Sequence, residues 1–97
     1  MTSGRERVTV NQSGHPCPCC GFLTLPDAPP GTFAICPVCR WEDDNVQYDD
    51  VNYEGGANRV SLRQAQENFR AHGASDIRRR ERTRPPLPHE RHHQKDL

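Results

Sequence analysis

The sequence predicts a small metal-stapled α+β domain, and three observations carry that reading. Two turns have the form Cys-Pro-x-Cys: Cys17-Pro18-Cys19-Cys20 and Cys36-Pro37-Val38-Cys39. A turn-forming stretch, residues 26–31, lies midway between them and is flanked by β-formers. A helical pattern over residues 61–73 carries recognisable signals at both ends. The remaining composition limits what else can fold. Only 32% of the 97 residues are hydrophobic and the mean hydropathy is -0.98. No apolar run approaches the ~20 residues of a membrane span, so no membrane partner is expected.

The cysteines come first because they set the chemistry. There are five, Cys17, Cys19, Cys20, Cys36 and Cys39. The first residues, Met-Thr-Ser-Gly-Arg-Glu-Arg, are polar and do not read as an export signal. An odd number of cysteines in that setting argues against a disulfide framework. The expected location is cytoplasmic, where thiols stay reduced and clustered thiolates bind metal or do redox chemistry.

Two thiols with two residues between them can ligate one ion from a tight turn. Proline at the second position fixes φ and offers no competing N–H, and Gly21 can take the positive φ at which the chain leaves the first turn. Two such pairs make the four-thiolate set that tetrahedral Zn2+ prefers. The predicted metal ligands are Cys17, Cys20, Cys36 and Cys39. A rubredoxin-type iron site uses the same geometry, so Fe is the alternative ion. Cys19 is the variable residue of the first turn. It is a spare thiol, read as packed and inert, with thiol-redox chemistry as the alternative.

Between the turns, Phe22-Leu23-Thr24-Leu25 and Thr32-Phe33-Ala34-Ile35 flank Pro26-Asp27-Ala28-Pro29-Pro30-Gly31. Folding at that turn predicts a zinc-ribbon-like β-hairpin that brings the two cysteine turns side by side.

Residues 41–58 form an acidic loop with a net charge of -6. Trp41 follows the second turn and is expected to pack over the metal site as the main core aromatic. Counted from Asp43, the acids and amides of this loop partly match a calcium loop, but Tyr48 stands where the sharp turn requires glycine. The loop is therefore read as solvated and available to a basic partner.

One C-terminal helix follows. Ser61 is the N-cap and Gln64 completes a capping box. Leu62, Ala65, Phe69 and His72 define one narrow face, and Gly73 ends the helix in left-handed conformation. Phe69 is expected against the hairpin, and His72 at the edge of the core. Residues 76–97 hold Arg78-Arg79-Arg80, Arg82, Arg84 and a proline run, with few apolar residues to bury.

The organisation predicted is thus a flexible N-terminal arm over residues 1–14, a zinc-binding domain over 15–75 and a disordered basic, proline-rich tail over 76–97. The zero net charge of the chain conceals an acidic loop and a basic tail that cancel.

These motifs together resemble the cysteine-rich CPCC family of small, mostly bacterial proteins. The residues that carry the resemblance are Cys17-Pro18-Cys19-Cys20-Gly21, the run from Pro30 to Asp44, Gly55-Gly56-Ala57-Asn58, and Ser61 to Phe69. The resemblance implies a small metal-binding domain and supports the same four ligands, with Cys19 beside them. Two positions depart from the family pattern: Arg40, where relatives often carry an aromatic, and Ser75, where many carry a sixth cysteine.

Functionally, the sequence predicts a non-catalytic zinc-binding module that acts through protein contacts. Nucleic-acid binding through the arginine-rich tail is an alternative. A hydrolase is disfavoured because four cysteine ligands leave no open position on the ion.

Overall fold

Each cysteine turn builds its own short ladder in the computed structural model, which describes residues 14–91. The expected arm up to residue 13, and residues 92–97 with His92 and His93, lie outside the described residues. Strand β1 (His15–Pro16) pairs antiparallel with β2 (Leu23–Leu25), and the first cysteine turn connects them. The second cysteine turn is closed in the same way by an isolated bridge between Ile35 and Glu42.

A hairpin is therefore present, but the strand pairing differs from that predicted. Phe22–Leu25 does not pair with residues 32–35 across the proline-rich turn. The reason is local. Pro29 and Pro30 supply no N–H, and both Gly31 and Phe33 take positive φ, 86° and 59°. The chain bends instead around Asp43, whose Oδ2 accepts from the Thr32 N–H at 2.9 Å and its hydroxyl at 2.8 Å. The Phe33 N–H then donates to the Asp43 carbonyl at 2.9 Å.

The acidic segment is folded where the sequence suggests a solvated loop. Asp43 and Asp44 are buried. Helix α1 (Asn45–Asp49) starts at Asp44, whose side chain caps the Val46 and Gln47 N–H groups. Its other oxygen accepts from the Ala57 N–H at 2.8 Å. These bonds, with Ala57 the strongest, hold the Asp44 carboxyl below its ordinary pKa. Gln47 is fully buried. Its amide donates to the carbonyls of Tyr53, Asn58 and Val60, and its Oε1 accepts from the Asn58 backbone and side chain. Asn58 in turn exchanges two bonds with the Glu42 backbone. This polar plug occupies the calcium-like stretch and commits its amide to the protein.

Gly56 is required at this plug. A Cβ there would lie 2.7 Å from Asp44 Oδ2 and 2.7 Å from Gln47 Cδ. Gly56→Ala should therefore cost about 2 kcal/mol, checked by the thermal midpoint of the metal-loaded protein. An unchanged midpoint would show that the plug yields freely.

Helix α2 (Leu62–His72) has the predicted caps: Ser61 accepts from the Gln64 N–H, and Gly73 sits at φ 80°. The capping box is half-formed, because the Gln64 amide turns to Asn68 instead. Leu62 and Ala65 are buried, and Phe69 meets Phe22 edge to face at 6.2 Å. His72 is exposed and not at a core edge. The helix buries its face near its start, at Leu62 and Ala65, whereas His72 is its last residue.

The segment after α2 departs furthest from expectation. Over residues 76–91, where the sequence predicts a disordered tail, the chain forms two 3-10 turns, Ile77–Arg82 and Pro88–Glu90. It is anchored by polar groups and not by apolar burial, which is why hydropathy does not reveal it. Asp76 is buried and pairs with Arg59 through two bonds of 3.1 Å. Glu90 is buried and holds Arg84 through two bonds of 2.8 Å. Among the described residues, no helix is long and apolar enough to cross a membrane.

Candidate metal centre

The two cysteine turns are built alike. In the first, the Cys17 N–H donates to the Phe22 carbonyl at 2.9 Å and the Gly21 N–H to the Cys17 carbonyl at 2.8 Å. In the second, the Cys36 N–H donates to the Trp41 carbonyl at 2.9 Å and the Arg40 N–H to the Cys36 carbonyl at 2.7 Å. Gly21 and Arg40 occupy the same place in each turn, and both are left-handed, at φ 83° and 73°. The conformation suits glycine; arginine adopts it here because the turn's own hydrogen bonds hold it.

The turns bring four sulfurs together. One ligand atom each from Cys17, Cys20, Cys36 and Cys39 falls within 4.8 Å of all the others. The Cys17 and Cys39 sulfurs are 3.6 Å apart, and those of Cys20 and Cys36 are 3.7 Å apart. A tetrahedral ion with metal–sulfur bonds of about 2.3 Å needs sulfurs ~3.8 Å apart, so the donor set fits one ion. Among the described residues, this is the one group of three or more candidate ligands so placed. Cys19 lies outside the four and is buried.

Neighbours from the rest of the fold orient the cluster, as outer-shell groups do at metal sites. The Thr24 hydroxyl donates to the Cys36 sulfur at 3.0 Å. Trp41 is 1% exposed and is among the largest fully buried side chains. Gln66 of α2 reaches the Pro18 carbonyl at 3.0 Å, and the Ser75 N–H reaches the Cys39 carbonyl at 2.8 Å. The Arg84 N–H donates to the Pro37 carbonyl at 3.2 Å. The Glu90 carboxylate, and more weakly the Cys36 sulfur, raise the pKa of the Arg84 guanidinium. Sequence reasoning finds the four cysteines but not Thr24, Gln66, Arg84 or Glu90, because none of these has a local spacing signal.

The thiols share protons without a metal. Hydrogen bonding from Cys17, then Cys20 and Cys39, pushes the Cys36 thiol down. Cys17 is also the leading cause that pushes Cys20 and Cys39 up. A metal must displace protons held on these thiols, Cys20 and Cys39 among them, so affinity should fall with falling pH. Competition with a chromophoric chelator at two pH values measures this, and a pH-independent affinity would contradict it.

A family model described as cysteine-rich CPCC matches residues 15–90. Among curated proteins no match to the chain is found.

Proposed function

The chain belongs to the cysteine-rich CPCC family, and from that premise we propose that it is a small, non-catalytic zinc-binding module that acts through contacts with a protein partner. The observation that carries this is the closed four-sulfur cluster. With all four positions of a tetrahedral ion taken by cysteine, none is left for water or substrate, as in structural zinc sites. Support for a protein partner comes from exposed side chains on the segments that flank the second cysteine turn. Phe33, Val46, Tyr48 and Tyr53 are exposed, and Asp49, Asp50 and Glu54 are exposed among them. Exposed apolar side chains interspersed with acids suit a partner with an apolar, basic face.

Native mass spectrometry of the full chain tests the metal. One zinc per chain is expected, retained in Cys19→Ser and lost in Cys36→Ser. Iron in the purified protein, or no metal, would overturn the zinc reading.

A further inference from the structure

We propose a second binding site, for a small ligand carrying two or more phosphoryl groups, in the cleft between the second cysteine turn and the 3-10 turn Ile77–Arg82. The cleft has a volume of about 450 Å³ and is lined by Arg40, Arg59, Arg78, Arg79 and Arg82, with Asp76 and Ile35. Five arginines and one aspartate thus line it. Among the described residues, Arg59 alone of the five has an ion pair, with Asp76 at 3.1 Å.

Arg40 is the most telling member. Its Nε is buried and has no hydrogen-bond partner. A buried, unpaired donor on a charged group is costly, and this residue also sits in a left-handed conformation that glycine would adopt more easily. Repulsion among the guanidiniums adds to that cost. An anion in the cleft would relieve both. Arginine forks match phosphoryl oxygens in pairs, and five of them exceed what one phosphoryl group can engage. The volume falls within the range of small-molecule sites, and the 42% exposed Ile35 offers an apolar wall beside the charges.

Titration calorimetry of the metal-loaded full chain with ATP and with inorganic pyrophosphate tests this, with metal content checked after each run. Saturable binding that weakens with salt is expected. Arg40→Gly should weaken it at least tenfold without lowering the thermal midpoint, since glycine suits that backbone position. Arg79→Glu, at an exposed position, should weaken it similarly. Absence of saturable binding at low salt would overturn the proposal, as would unchanged affinity in both variants. Binding confined to oligonucleotides and growing with their length would also overturn it, in favour of a general electrostatic surface.

Discussion

Removing the metal with a strong chelator should unfold the domain. The cysteine turns form the centre of the core, and among the described residues the buried apolar side chains packed with them are few: Leu25, Val38, Trp41, Leu62 and Ala65. Structural zinc contributes an apparent ~10–16 kcal/mol in small domains, which equals or exceeds the usual net stability of a folded protein, about 5–15 kcal/mol. Circular dichroism and tryptophan fluorescence should both change on chelation, because Trp41 leaves its buried site, and both should recover when metal is returned. Cys36→Ser should behave as the chelated protein does, whereas Cys19→Ser should stay folded. A native-like spectrum in excess chelator would show that the apolar core and polar anchors suffice alone.

The second large effect is expected at Gln47. Its side chain satisfies three carbonyls and two donors in a region without exposure to solvent. Gln47→Ala leaves these groups unpaired, and each unsatisfied buried group costs about 1–3 kcal/mol. Some will reach water in the cavity, so a total of about 4 kcal/mol is expected. Gln47→Glu keeps the shape but removes the donors and adds a charge facing carbonyls, so it should be no better tolerated. Thermal unfolding at fixed excess metal measures both. A loss under 1 kcal/mol for Gln47→Ala would mean that the loop rearranges around the gap.

Both effects bear on how much of the molecule is legible in the sequence. The four sulfurs that meet in space are the four named by their spacing, because a Cys-Pro-x-Cys turn sets its two sulfurs on one side locally. The caps of α2 are legible for the same reason: Ser61 and Gly73 act on backbone groups within one turn. Gln47 is different. Its five bonds reach Tyr53, Asn58 and Val60, and no periodic pattern announces a buried amide in an acidic segment. The aspartates beside it read as solvated, yet Asp44 spends both oxygens on backbone N–H groups, and Asp43 Oδ2 accepts from the backbone and hydroxyl of Thr32.

By itself, then, the sequence determined the two cysteine turns whose four sulfurs cluster and both ends of the helix, since each turn and cap depends on residues a few positions apart. Tertiary structure decided which strands pair, how the acidic segment is satisfied and where residues 76–91 lie. Those outcomes depend on hydrogen bonds and ion pairs between distant residues, such as Arg59 with Asp76 and the Arg84 N–H with the Pro37 carbonyl. Hydropathy registers such polar anchors as reasons to stay in water, whereas the folded chain uses them to close over the cysteine turns.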